Sequence, residues 1–61
     1  MKVYQVRTDG ESRLVLADSF GKAIECDFKI FMEENEGEDY ATREYYETLL
    51  EEVVCIGGLG G

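Results

Sequence analysis

Carboxylates are the side chains of this protein best suited to chemistry, and nine of them fall within residues 33–52. Arg43 is the one base in residues 33–61, so this half of the chain carries the whole net charge of −8. Residues 1–32 hold five acids and five bases, which cancel. A one-sided negative charge repels nucleic acid and anionic membranes and attracts basic protein surfaces. The sequence therefore predicts a basic protein surface as the partner, with no direct binding of nucleic acid or membrane.

Three tyrosines lie among these carboxylates: Tyr40, Tyr45 and Tyr46. Tyrosine is enriched in protein interfaces, and carboxylates beside aromatic rings can engage Arg and Lys. The predicted partner-binding residues are Glu36, Glu38, Asp39, Tyr40, Glu44, Glu47 and Glu51. Two plainer interpretations stay open. The acidic run can be a solvated face that keeps the protein soluble, and Tyr45 and Tyr46 can be core residues at helical spacing.

Catalysis has little support in the sequence. Histidine, the usual general base and metal ligand, is absent. Cys26 and Cys55 have no neighbouring base, and the glycines do not form a phosphate-binding loop. The stretch from Glu33 to Asp39 lacks the alternating ligand register of a calcium loop. We therefore expect no enzyme activity, no cofactor and no dedicated metal site.

The first half of the chain predicts a β-hairpin followed by a helix. Residues 2–8 and 13–17 have strand composition, and Asp9-Gly10 between them is typical of a type I′ turn. Asp18-Ser19 is a helix N-cap signal. Phe20, Ile24, Phe28 and Phe31 then recur at helical spacing, which predicts a helix from Phe20 to Glu34 with these four side chains buried.

The second half is less clear. Residues 35–38 contain Gly37 and predict a connector. Residues 39–52 fit an amphipathic helix capped by Asp39 or Thr42, although a strand starting near Tyr45 is the alternative. Residues 53–56 predict a last strand, and residues 57–61 a flexible glycine-rich tail.

The element order β-β-α-(α)-β predicts an α+β fold, a small two-layer domain over residues 1–56. Its sheet is three-stranded and mainly antiparallel, with one main helix on one face. A chain of 61 residues has a small core, which often needs a second subunit. We therefore expect a homodimer, held by strand pairing or by residues 40–53.

The apolar runs and the cysteines predict the cellular location of the protein. The N-terminus lacks the apolar segment of a secretory signal, and the longest apolar runs are four residues. Cys26 and Cys55 then fit two reduced thiols in a cytoplasmic protein better than a disulfide.

The C-terminal Gly60-Gly61 favours one alternative function. This end resembles ubiquitin-like and sulfur-carrier proteins, small β-grasp domains whose terminal Gly-Gly is activated by adenylation. The resemblance covers the hairpin, the helix and the last strand. A β-grasp domain needs further strands where residues 35–52 are acidic and more helical than extended.

The first 30 residues resemble very small phage-encoded inhibitor proteins, such as the small RNA-polymerase inhibitors of podoviral coliphages. The similarity lies in residues 2–6, residues 14–20 and Ala23-Ile24-Glu25. It ends at residues 53–56, where those inhibitors use arginines, so no polymerase-contacting residue transfers. The resemblance implies an inhibitor that blocks a host nucleic-acid-handling or anti-phage defence protein in the host cytoplasm. An oligomeric accessory protein is a further alternative.

Overall fold

The computed structural model describes residues 1–58 and contains three strands and two helices in those residues. They are β1 (Lys2–Thr8), β2 (Glu11–Ala17), α1 (Phe20–Glu34), α2 (Arg43–Leu49) and β3 (Leu50–Gly58). The sheet order is β2-β1-β3, with both pairings antiparallel. The predicted α+β fold with a three-stranded antiparallel sheet is confirmed.

The β1–β2 hairpin closes at Asp9-Gly10. Both residues have positive φ, 47° and 81°, as a type I′ turn requires. The register pairs Tyr4 with Val15 and Val6 with Arg13. Side chains alternate between the two faces of a strand, so Tyr4, Val6, Arg13 and Val15 all project towards the helices.

Helix α1 begins and ends where the sequence predicts. The Ser19 Oγ accepts a hydrogen bond from the Lys22 N–H at 3.3 Å, which caps the first turn. Asn35 follows the helix, and its side-chain amide donates to the Phe31 carbonyl at 2.8 Å. These two contacts satisfy backbone groups that a helix end leaves unpaired.

The buried face of α1 differs from the prediction. Ala23 and Asp27 face the sheet and are buried, whereas Ile24, Phe28 and Phe31 are half-buried. The prediction that Phe20 is buried is wrong, because its side chain is 52% exposed and packs edge-on against Tyr4 at the start of the helix. The small Ala23 allows α1 to lie close to the sheet, and the larger rings then fit beside this contact rather than beneath it.

The structure divides residues 39–52 between a helix and a strand. Thr42 caps α2 with its Oγ1, which accepts from the Tyr45 N–H at 3.1 Å, as one of the two predicted caps. The alternative strand starting at Tyr45 is wrong, but the helix is shorter than predicted. Leu50 ends it with an extended backbone and starts β3.

Strand β3 is longer than the predicted 53–56. Gly57 and Gly58 pair with Val3 and Lys2, so two glycines of the predicted tail lie in the sheet. The Gly60-Gly61 pair lies outside the described residues. Neither helix between residues 1 and 58 is long and apolar enough to cross a membrane.

The core lies between the sheet and the helices. Its buried hydrophobic residues are Tyr4, Val6, Val15, Ala17, Ala23 and Tyr46. Four half-buried residues pack against the first five of these: Leu50 and Val53 of β3 and Cys26 and Ile30 of α1. Both cysteines are free thiols, with Cys26 half-buried in α1 and Cys55 exposed in β3.

Candidate functional site

Asp27 is the centre of a polar junction that joins β2, α1 and α2. The Asp27 residue is only 3% exposed. The Tyr46 hydroxyl donates to Asp27 Oδ2 at 2.8 Å, and Arg13 Nη1 lies 3.4 Å from Asp27 Oδ1. A buried carboxylate is costly unless it is paired and hydrogen-bonded, so these two partners make its position tolerable.

Sequence reasoning missed this junction. Asp27 lies one helical turn after Ala23, on the face that the structure buries. The sequence does contain a signal for it: an acid on the buried face of α1 and a base at an inward-facing position of β2. Arg13 is that base, because it alternates with the inward-facing Val15.

Burial and the hydrogen bond to Asp27 raise the pKa of Tyr46 well above its ordinary value. Burial is the larger cause, since it disfavours the charged phenolate. Tyr46 therefore stays a neutral donor at physiological pH. Its ring packs edge-on against Phe28, with centroids 5.3 Å apart.

Arg13 and Arg43 form ion pairs that link the helices to β2 and to each other. Besides Asp27, Arg13 binds Glu34 Oε1 at 2.8 Å, which ties β2 to the last turn of α1. Arg43 at the start of α2 binds Glu25 Oε1 at 2.6 Å and Glu47 Oε2 at 3.0 Å. The hydrogen bonds that Arg43 donates to these two glutamates raise its pKa, and its guanidinium also lies 4.9 Å from the Phe28 ring centroid.

The predicted partner-binding residues fall into two groups. Two of them take part in contacts within the fold. Glu47 is bound to Arg43, and Glu51 accepts a hydrogen bond from the Gly10 N–H at 3.1 Å, with Arg7 Nε 3.9 Å away. Glu51 also lies in β3 rather than on the predicted helix.

The other five predicted residues are exposed at one end of the helical layer. Residues 35–42, which we call the acidic connector, carry Glu36, Glu38, Asp39 and Tyr40, and Glu44 follows in the first turn of α2. Within residues 1–58, none of these four acids forms an ion pair. Their charge is therefore available to another molecule.

Tyr40 is held against the helices but remains accessible. Its hydroxyl donates to Asn35 Oδ1 at 2.8 Å, and its ring packs edge-on against Tyr45 with centroids 5.4 Å apart. The side chains of Tyr40 and Tyr45 are 47% and 41% exposed. The two rings thus present a fixed aromatic surface beside the acidic connector.

A cleft of about 310 Å³ opens between the hairpin turn, the end of α1 and α2. We call it the tyrosine cleft. Its walls include the rings of Phe31, Tyr40 and Tyr45, and Asp27 and Tyr46 are its most deeply buried lining residues. The carboxylates of Asp9, Glu11 and Glu34 line its exposed part.

The charge of this cleft is negative. Four carboxylates line it, and Arg13, which is already bound to two of them, is its one base. Aromatic walls and unbalanced carboxylates suit a cationic side chain such as Arg or Lys. Across residues 1–58, the acids do not gather into a group of three that could hold a metal ion.

Comparison with protein families, with curated proteins and with solved structures finds no match to this chain.

Proposed function

We propose that this protein is a small inhibitor that binds a basic surface of another protein through the acidic connector and the tyrosine cleft. The observation that carries the proposal is how the charges pair. All three arginines are bound to acids within the fold, whereas Glu36, Glu38, Asp39 and Glu44 have no ion pair among residues 1–58. These unpaired acids lie beside two accessible tyrosines.

The proposed target is a nucleic-acid-handling protein. Such proteins expose grooves of Lys and Arg that bind phosphates. Exposed carboxylates on an ordered connector can occupy such a groove, and the net charge of −8 keeps the inhibitor itself away from nucleic acid. Binding would block the groove without any catalytic step or cofactor.

The source and setting of the inhibitor rest on the sequence resemblance alone. It favours a phage or mobile element as the origin and a host or anti-phage defence protein as the target. Action in the host cytoplasm would keep the free thiols of Cys26 and Cys55 reduced.

The experiment compares two variants that lose the same number and type of charges. Glu38→Gln/Asp39→Asn changes the acidic connector, and Asp18→Asn/Glu33→Gln is the control, which changes two exposed acids outside it that bind no arginine. Each pair brings the net charge from −8 to −6. The full chain captures its partner from the host cell, and the affinity of the purified partner is then measured for each variant.

We expect the connector variant to weaken binding at least about tenfold, equal to about 1.4 kcal/mol, and the control variant to leave it nearly unchanged. Binding should also weaken between 0.1 M and 1 M salt, because the Debye length falls from about 10 Å to about 3 Å. In fluorescence anisotropy, the protein should displace DNA or RNA from the partner. Equal effects of the two variants, or a partner that keeps its nucleic acid, would contradict the proposal.

The tyrosine cleft has its own test. N-acetyl-arginine amide, titrated into the labelled protein, should give saturable NMR shifts at Tyr45, Tyr46 and Asn35. N-acetyl-citrulline amide has nearly the same shape without the charge and should give none. Equal shifts with both compounds would show that the cleft does not select a cation.

A further inference from the structure

The tyrosine cleft has two walls of different chemistry. One wall belongs to the helical layer and carries the rings of Phe31, Tyr40 and Tyr45. The other belongs to the β1–β2 hairpin and carries the carboxylates of Asp9 and Glu11. Asp9 lies in the hairpin turn, and Glu11 is the first residue of β2. Acids and rings from distant parts of the sequence thus meet across one opening.

The two hairpin carboxylates are available to a cation from another molecule. Both residues are exposed. All three arginines and the N-terminal amine bind other acids, and neither Asp9 nor Glu11 forms an ion pair within residues 1–58. The hairpin therefore presents two uncompensated charges to the aromatic wall, and the sequence analysis did not include either of them in the partner-binding surface.

A carboxylate oxygen at the bottom of the cleft lacks a donor. Asp27 Oδ2 accepts from the Tyr46 hydroxyl, whereas Oδ1 accepts no hydrogen bond from residues 1–58, and Arg13 Nη1 lies 3.4 Å from it as an ion pair. Every fully buried side-chain nitrogen or oxygen in this part of the chain has a hydrogen-bond partner, so Oδ1 is in contact with solvent. Because Asp27 lines the cleft, a donor that enters the cleft can replace that solvent.

The size and charge of the cleft limit its occupant to one cationic side chain. Its volume of about 310 Å³ is at the lower end of the roughly 300–1,000 Å³ of small-molecule sites. Four carboxylates and one base line it, which leaves a net charge of −3. Phosphates and acidic peptides are repelled by such a site, whereas a single cation offsets part of its charge.

Arginine suits this site better than lysine. Its planar guanidinium has five N–H donors and packs on aromatic rings, whereas the lysine ammonium is a compact and more strongly hydrated charge. The fold already contains one arrangement of this kind. Arg43 binds Glu25 and Glu47 at 2.6 Å and 3.0 Å, and its guanidinium lies 4.9 Å from the Phe28 ring centroid.

We infer that the tyrosine cleft takes one arginine side chain of the partner, with its guanidinium directed at Asp27 Oδ1 and flanked by Asp9 and Glu11. The methylene groups of this arginine pack against Tyr40 and Tyr45. The inference rests on the proposed function, because the arginine belongs to the basic surface that the acidic connector binds. It adds the hairpin to the contact surface and names the residue type that the cleft selects.

NMR titration of the labelled full chain tests the selectivity. N-acetyl-arginine amide should bind with a dissociation constant in the millimolar range, as expected for so small a ligand. N-acetyl-lysine amide carries the same charge and should bind at least about fivefold more weakly, because its ammonium loses more hydration and makes fewer hydrogen bonds. The arginine compound should shift the signals of Asp9, Glu11 and Tyr40.

A pair of variants tests the role of the hairpin. Asp9→Asn/Glu11→Gln removes both hairpin charges and keeps the turn, because Asn also suits the positive φ of position 9. Asp18→Asn/Glu33→Gln is the control, since it brings the net charge from −8 to the same −6 at exposed acids outside the cleft. The hairpin variant should weaken binding of the arginine compound and of the partner at least about fivefold, and the control should change neither.

Equal binding of the arginine and lysine compounds would overturn the inference, as would equal effects of the hairpin and control variants. A hairpin variant that still binds the partner like the wild type would also overturn it. The proposed function would survive that result if Glu38→Gln/Asp39→Asn weakens the partner, and it fails if that connector variant does not. Circular dichroism checks each fold. If the double variant fails to fold, Glu11→Gln alone tests the same wall.

Discussion

The two faces of the sheet differ in how their side chains are held. On the covered face, Asp27, Arg13 and Tyr46 join β2, α1 and α2 through a buried carboxylate, a base and a phenol. On the opposite face, which we call the open face, Leu14, Leu16 and Val54 contact water. In a domain this small, a buried polar junction beside a thin core holds the layers together, while further apolar side chains stay in contact with water. Substitutions on the two faces should therefore have unequal effects on stability.

The largest effect is expected at Asp27. Asp27→Ala leaves Arg13 and the Tyr46 hydroxyl without their shared acceptor, and breaking a buried pair in this way costs about 3 kcal/mol or more. Urea unfolding measures the loss. Glu33→Ala is the control, because Glu33 is an exposed acid on the same helix, and it should change stability by less than about 0.5 kcal/mol. Similar losses in both variants would show that the buried junction contributes no more to stability than an exposed acid of α1.

Tyr46→Phe should cost about 1–2 kcal/mol at neutral pH, because Asp27 Oδ2 then lacks its donor. The same variant tests pH dependence. The pKa of Tyr46 is raised by folding, so its contribution to stability is complete below the unfolded value of about 10 and declines as the pH rises above it. Urea titrations from pH 8 to 11 should show a steeper alkaline loss in the wild type than in Tyr46→Phe. Parallel curves would contradict the burial of this hydroxyl.

Thr42→Ala should cost about 1 kcal/mol, because the Tyr45 N–H loses its cap. Thr42→Ser keeps the hydroxyl and should restore most of that stability. Amide hydrogen exchange at residues 43–49 measures the effect where it arises. An unchanged exchange rate in Thr42→Ala would show that the Thr42 cap contributes little to the stability of α2.

The smallest effect is expected on the open face. Leu14→Gln should change the free energy of unfolding by less than about 0.5 kcal/mol in dilute solution, because Leu14 is mostly exposed before and after the change. Thermal unfolding at low concentration measures it. A loss of about 2 kcal/mol or more in the dilute monomer, the size expected for a buried leucine, would show that the open face is part of the folding core.

Local signals in the sequence were enough for most of the fold. Asp9-Gly10 predicts the hairpin turn, and Ser19 predicts the start of α1, because turns and caps depend on a few neighbouring residues. The face of α1 that is buried was not predictable in the same way. It depends on Arg13 and Tyr46, which are distant in sequence and reach Asp27 only after the layers pack.

The candidate site was only partly predictable from the sequence, again because it depends on contacts between residues that are distant in sequence. The sequence places the acids beside the tyrosines, but it does not show which acids form ion pairs with the arginines. Arg43 binds Glu47, and Arg7 lies near Glu51, so these two predicted residues also support the fold. Reversing the charge of Glu44, Glu47 and Glu51 together would thus disturb folding as well as binding. Glu38 and Asp39 are the cleaner positions for a test.

The position of β1 in the middle of the sheet has a consequence for the growing chain on the ribosome. The hairpin and α1 involve residues close in sequence and can form early, whereas the other edge of β1 pairs with β3, where Lys2 meets Gly58. Until residues 50–58 have been synthesised, that edge of the first strand has no partner. Closing this long loop costs entropy before any contact repays it. Strand β1 precedes β2 and β3 in the chain, yet it gains its second partner only after translation has passed the end of β3.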